Sequence, residues 1–217
     1  MNTGTQRIVL QGAAGAIEAL RDDPAGGPGA RGLALIAHPH PLHGGTMDNK
    51  VVQTLARAFV QCGYSALRFN FRGVGASAGV YDEGRGETDD LLAVLAQTAP
   101  AGSLALAGFS FGTHVVCRAL QRLTPARPIE GIALVGTAAS RFEVPALPAA
   151  CREGCLVVHG ENDDTVPLST VMDWARPQSL PVTVFPGGSH FFHGQLSILK
   201  NLVVRHFGAD RPLPSHP

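Results

Sequence analysis

Short runs of consecutive apolar residues recur along the chain and alternate with stretches whose apolar positions repeat every three or four residues. The runs at 32–37, 65–69, 104–107, 129–135, 156–158 and 182–185 read as strands covered on both faces, as in a parallel sheet. Two earlier segments, 7–10 and 14–20, with Gly12 near the turn, read as an opening hairpin, and the Gly/Pro-rich 22–32 as a flexible loop. Between the strands, Val52, Leu55, Ala56 and Phe59 fall at i, i+3, i+4 and i+7, and so do Val116, Ala119, Leu120 and Leu123. Leu91, Leu92 and Leu95 mark another helix, whose Glu87, Asp89 and Asp90 sit near its first turn and complement its dipole. Phe192, Leu196, Leu199, Val203 and Phe207 predict a last helix.

This alternation predicts an α/β fold: a mostly parallel, open twisted sheet with helices on both faces and ligand sites at the carboxyl ends of the strands. One domain over 1–207 is expected, followed by a disordered tail at 208–217, which holds three prolines and has nothing to bury.

Composition narrows the function classes. Apolar residues make up 45% of the 217 and charged residues 16%, which excludes disorder driven by charge. Seventeen basic residues balance seventeen acidic ones, so the chain lacks the positive surplus that a phosphate backbone recruits, and no nucleic-acid partner is expected. No apolar run reaches the ~18 residues of a membrane span, and residues 1–7 are polar, so no membrane partner and a cytoplasmic location are expected. Cys62, Cys117, Cys151 and Cys155 are too scattered for a disulfide scaffold or a zinc site and read as reduced thiols.

The candidate chemistry begins at Gly108-Phe109-Ser110-Phe111-Gly112, between the strand at 104–107 and the helical stripe from Val116. G-x-S-x-G in a strand–turn–helix context is a nucleophile elbow: the serine takes an uncommon backbone conformation, and the flanking glycines let strand and helix close up. A serine hydroxyl needs a histidine to take its proton and an acid to orient that histidine. After the strand at 156–158, the segment His159-Gly160-Glu161-Asn162-Asp163-Asp164-Thr165-Val166-Pro167 places acids at a strand's carboxyl end, just before a helix opened by proline. Asp163 is the candidate acid; Asp164 or Thr165 reads as a helix cap. The last strand runs into Pro186-Gly187-Gly188-Ser189-His190, a turn able to project His190 back across the sheet as general base. The order Ser110, Asp163, His190 is the triad order of one particular fold.

With these residues, the sequence resembles the α/β-hydrolase superfamily, and within it the small bacterial serine hydrolases that lack a lid, over nearly its whole length. The resemblance rests on 37–41 (Ala-His-Pro-His-Pro), 69–75 (Phe-Asn-Phe-Arg-Gly-Val-Gly), the elbow at Ser110 and Gly188-Ser189-His190. It rests also on the pattern H-G-x-x-D-x-x-V-P, which falls on His159, Gly160, Asp163, Val166 and Pro167. It implies an oxyanion hole formed by the amide after the nucleophile, here Phe111, and an amide from the loop after the third strand. Pro39 and Pro41 have no N–H, so His40 is the expected second donor, with Leu42 as the alternative. His38-Pro39 replaces the His-Gly of many relatives and stiffens this loop.

Other motifs carry less. His38, His40 and His43 form H-x-H-x-x-H, but Leu42 stands where related metal sites have an acid, so no metal is expected. Gly73-x-Gly75 with Gly79 has the wrong spacing for a dinucleotide loop, and no cofactor is expected. Arg72 is read as tying down its loop. The sequence thus points to a carboxylic ester hydrolase, a serine esterase or carboxylesterase acting through an acyl-enzyme, with Ser110, Asp163 and His190 as triad. Because the base must be neutral, activity should rise across roughly pH 6 to 8, where an imidazole ordinarily titrates. About twenty residues at 138–154 leave no room for a cap, so the expected substrates are short-chain or bulky acyl esters, small or attached to a macromolecule. A thioesterase or amidase using the same triad, or a binding module that keeps the fold without turnover, is the alternative.

Overall fold

The computed structural model describes residues 4–25, 27–28, 31–99, 101–123 and 129–208. Eight strands form one sheet: β1 (Gln6–Gly12), β2 (Gly15–Asp22), β3 (Leu33–Ala37), β4 (Ser65–Phe69), β5 (Leu104–Phe109), β6 (Ile129–Val135), β7 (Cys155–Gly160) and β8 (Val182–Phe185). Their spatial order is β1-β2-β4-β3-β5-β6-β7-β8. The first hairpin is antiparallel, and β2 pairs antiparallel with β4. Every pair from β4 to β8 is parallel.

Side chains alternate along each parallel strand, and the two faces differ in what they present. Leu33, Leu35, Leu104 and Leu106 face one cluster, completed by Leu91, Val94 and Leu95 of α2 (Arg85–Thr98), Val115, Val116 and Ala119 of α3 (Phe111–Leu120), and Val171 of α4 (Leu168–Ala175). Ala34, Ile36, Ala105 and Ala107 face the other, where small strand residues admit bulky partners: Leu55 and Phe59 of α1 (Lys50–Gln61), and Leu199, Val203 and Phe207 of α5 (Leu196–Phe207). Burying these side chains contributes roughly 25 cal/mol per Å² of apolar surface. The predicted layers are therefore observed: a mostly parallel sheet covered by helices on both faces. The β6–β7 connection, 136–154, holds only a short 3-10 turn, Ala149–Cys151, and builds no lid.

Three local expectations are corrected. Helix α4 begins at Leu168 with Pro167 as its N-cap, and neither Asp164 nor Thr165 caps it; Thr165 instead donates its hydroxyl to Asp164 at 3.3 Å. Phe192 is not part of α5: it sits at φ 53°, and Gly194 at φ 74° follows before the helix begins. Its ring is buried in the same cluster as Leu199, Val203 and Phe207 and packs edge-on against Phe185 at 5.3 Å, which is why it continues their periodicity. Helix α3 starts at Phe111, directly after Ser110, well before the apolar stripe at Val116. Of the expected tail, 209–217 lies outside the described residues, and Gly208 is the C-cap of α5.

Candidate active site

Ser110 stands between the end of β5 and the start of α3, at φ 54° and ψ −119°. A residue other than glycine with positive φ carries strain, and here the surroundings hold it in place. Its N–H donates to the Val135 carbonyl of the neighbouring strand at 2.9 Å, and its own carbonyl accepts from the Thr113 amide at 2.9 Å and hydroxyl at 2.6 Å. The flanking glycines are required by contact. A Cβ at Gly108 would meet the Gly112 carbonyl at 2.5 Å, and one at Gly112 would meet the Ala37 carbonyl oxygen at 2.3 Å. Strand β5, its helix and strand β3 close on one another only without those atoms.

The loops after β7 and β8 bring the other two residues across. They are stapled together: the Asn162 amide donates to Gly188 O at 2.8 Å, the Glu161 amide to Phe185 O at 3.0 Å, and the Gly187 amide to a Glu161 carboxylate oxygen at 2.8 Å. His190 Nε2 lies 3.0 Å from Ser110 Oγ, and its Nδ1 lies 2.6 Å from Asp163 Oδ2. Gly136, at φ 59°, ends β6 directly beneath this ring, where a Cβ would approach His190 Cε1 at 3.2 Å.

Asp163 is fully enclosed. Burial pushes its carboxyl up, but the hydrogen bond to His190, the Val166 amide and the nearby imidazoles outweigh burial and hold it below the usual carboxylate range. Its Oδ1 accepts from the amides of Thr165 at 2.9 Å and Val166 at 2.7 Å, which leaves Oδ2 for His190. Those bonds explain the misread cap: the amides of the turn before α4 are tied by Asp163, and among the described residues Asp164 accepts only the Thr165 hydroxyl. The buried His159 adds a contact that sequence reasoning treated only as part of a pattern. Its Nε2 lies 2.8 Å from Val166 O and 3.3 Å from Asp163 Oδ2. Burial holds His159 neutral by lowering its pKa, against the pull of the Val166 carbonyl.

The loop after β3 forms the opposite wall. The amides of His40 and Phe111 have no acceptor among the described hydrogen bonds, whereas the Leu42 amide is spent on His40 Nδ1 at 3.2 Å. His38 is buried behind them: its Nδ1 lies 2.6 Å from Pro39 O, and its Nε2 accepts from the Phe71 amide at 3.0 Å. Nδ1 therefore carries the proton. Burial lowers the pKa of His38 to about 3, although the Pro39 carbonyl opposes this. With both ring nitrogens of His38 engaged in this way, the H-x-H-x-x-H triplet is not a ligand set. Among the described residues, no group of three or more His, Cys, Asp or Glu side chains is arranged for a metal. Arg72 is also accounted for: it forms a two-point ion pair with the buried Asp90, at 2.8 Å on each bond, and ties the loop after β4 to α2.

Ser110, His190, His40 and Phe111 line one open cavity of about 650 Å³, walled also by Tyr81, Arg141, Phe142, Val166 and Phe191. The rings of His40 and Phe111 lie 5.1 Å apart, as do those of Phe111 and Phe142. Arg141, Phe142 and Phe191 went unread because they sit on loops where no periodicity or motif signals their direction.

A family model described as serine aminopeptidase, S33, matches residues 40–150, which includes the elbow. An uncharacterised protein of Rickettsia prowazekii is 34% identical over 171 residues, covering 74% of this chain and 71% of that one. The chain belongs to this family of α/β serine hydrolases. A solved member without a lid, from Xanthomonas campestris, is 35% identical to this hydrolase, covers 100% of it with 99% of its own chain, and superposes with a TM-score of 0.85. An α/β serine hydrolase homologue from Coxiella burnetii is 37% identical, covers 92% of this chain and 96% of its own, and gives a TM-score of 0.80. No helix among the described residues of this hydrolase is long and apolar enough to cross a membrane.

Proposed function

We propose that the protein is a carboxylic ester hydrolase in which Ser110, His190 and Asp163 act as a catalytic triad. The observation that carries this reading is the continuous hydrogen-bonded line from Asp163 Oδ2 through both ring nitrogens of His190 to Ser110 Oγ, ending in the open cavity. Ser110 Oγ attacks the ester carbonyl as its proton passes to His190 Nε2, and the carbonyl oxygen becomes an oxyanion. The oxyanion collapses, the C–O bond to the alcohol breaks, and His190 returns the proton to the leaving oxygen. Water then adds to the acyl-enzyme by the same route, giving the free acid and restoring Ser110. Asp163 stays ionised, fixes the Nδ1–H tautomer of His190 and stabilises the imidazolium.

The amides of His40 and Phe111 are the assigned oxyanion donors. His38 is a positioning residue for the first of them. In a trans peptide the C=O and N–H point in opposite directions, so a hydrogen bond from His38 to Pro39 O turns the His40 N–H of the same peptide unit away from the core. One such donor is worth about 3 kcal/mol of transition-state stabilisation.

The family description names an aminopeptidase, whose substrate presents a charged amine. No Asp or Glu belongs to the described wall of this cavity, and Arg141 would repel an amine, which favours the ester reading over that one. With no lid to grip a long chain, short or bulky acyl groups fit best. A series of p-nitrophenyl esters tests this: turnover should be highest on short acyl chains, and Ser110→Ala should lower kcat about 10⁶-fold. Marked preference for long chains contradicts the open-cleft reading, and a Ser110→Ala variant keeping a tenth of the activity removes the triad.

A further inference from the structure

The cavity wall contains one side chain with a permanent charge, Arg141, on the turn that follows β6. Its backbone is fixed there, since both its amide and that of Phe142 donate to Ala138 O at 3.1 Å. Its guanidinium is held at one point, Nε donating to Thr165 O at 3.3 Å, while Nη1 and Nη2 bond to no group among the described residues. Arg141 is exposed, and an arginine tethered through Nε with both outer nitrogens free presents a fork that can bind a planar anion. The same cavity that holds this fork and Ser110 carries the half-buried rings of Phe142, His40 and Tyr81, backed by the buried Phe111, which lies 5.1 Å and 61° from Phe142. Burial, and next the adjacent His43, lower the pKa of His40, so its ring joins this surface as a neutral group.

Resting on the ester-hydrolase reading, we infer that the preferred substrates are half-esters: esters whose flat or short apolar acyl portion ends in a second, free carboxylate. The ester carbonyl meets Ser110, the spacer lies along Phe142 and His40, and the carboxylate accepts two hydrogen bonds from Arg141 Nη1 and Nη2. Hydrolysis then releases a dicarboxylic acid and an alcohol. Since the anion lies remote from the bond that breaks, its contribution falls mainly on KM. A cavity of about 650 Å³ has the size usual for a small-molecule ligand of this kind.

The test compares mono-(4-nitrophenyl) terephthalate with 4-nitrophenyl 4-methylbenzoate, which share leaving group and spacer and differ only in the distal carboxylate. The expected result is a kcat/KM about 10- to 100-fold higher for the anionic ester, expressed in KM and shrinking as ionic strength rises. In Arg141→Gln the ratio should fall to about one, and Arg141→Lys, which keeps the charge without the fork, should restore part of it. Equal efficiency on the two esters overturns the inference and leaves the hydrolase reading standing. Hydrolysis of neither ester counts against the hydrolase reading. The anchor is then decided by calorimetric binding of monomethyl terephthalate to Ser110→Ala protein: binding that Arg141→Gln abolishes supports it, and its absence overturns it.

Discussion

Ser110 and Asp163 are held ready for the proposed chemistry by the bonds their neighbours make to them. Ser110 is held at positive φ by three hydrogen bonds on its own backbone, and Asp163 spends one oxygen on the Thr165 and Val166 amides so that the other meets His190. Asp163→Asn keeps the shape but lets the amide favour the wrong imidazole tautomer. It should lower kcat about 10⁴-fold with little change in KM, measured by initial rates on a short acyl ester. His38→Leu should leave the Phe71 amide and the Pro39 carbonyl buried without partners, at roughly 1–3 kcal/mol each. Its distinguishing effect is kinetic: a lower kcat at temperatures where the variant is fully folded. Unchanged turnover in a folded variant would reduce His38 to a structural role. Much of the geometry of this candidate site was legible beforehand, because an elbow glycine, an elbow serine and a loop histidine are each marked by patterns local in sequence. Asp163 was separable from Asp164 by the H-G-x-x-D-x-x-V-P pattern, whereas the cap role given to Asp164 or Thr165 failed because Asp163 itself ties that turn; Arg141 carried no signal at all, since its direction depends on a loop meeting a distant wall.

The turn from β5 into α3 is where sequence and packing agree most tightly. Adding a methyl at Gly112 forces it against the Ala37 carbonyl oxygen, a backbone atom that cannot swing aside. Gly112→Ala should therefore destabilise the fold by about 1–3 kcal/mol and, by pushing β3 away from the elbow, reduce activity in the remaining folded protein. Denaturant unfolding together with kcat on the folded fraction checks both parts, and a stable, fully active variant contradicts the packing argument. The strands themselves were readable as apolar runs, and the run at 104–107 needed only extension to Phe109. Their spatial order was not, because β4 crosses to sit between β2 and β3 through contacts far apart in the chain. The boundaries of α3 and α5 were misplaced for related reasons: α3 begins inside the Gly-rich elbow, and Phe192 mimics a helical position from a loop.

Across the whole molecule, the sheet's carboxyl edge collects the loops from β3, β5, β7 and β8, and several imidazoles end up enclosed near it. Burial lowers the pKa of His38 to about 3 and that of His114 to about 4, in the latter case with help from Arg118. An unfolded histidine titrates near 6.5, so between that value and about 4 the unfolded chain binds more protons than the folded one. Stability should thus be fully present above about pH 6.5 and fall as the pH drops toward 4. The share of Asp163, whose carboxyl is held low by its partners against burial, is lost only at still lower pH. The thermal midpoint should hold level from pH 8 to 7 and decline below about 6.5. His114→Phe, which preserves the stacking on Phe142, should decline less. A flat profile to pH 4 would contradict the buried neutral imidazoles.

Underlying all of these is the proposal that one imidazole activates one hydroxyl at the mouth of an open cleft. Treatment with a fluorophosphonate followed by peptide mass spectrometry reads this directly. One adduct per chain is expected, on the peptide carrying Ser110, with esterase activity lost in proportion and no adduct in Ser110→Ala or His190→Ala. Undiminished hydrolysis by Ser110→Ala, or an unlabelled Ser110 in protein that still turns over esters, would contradict it.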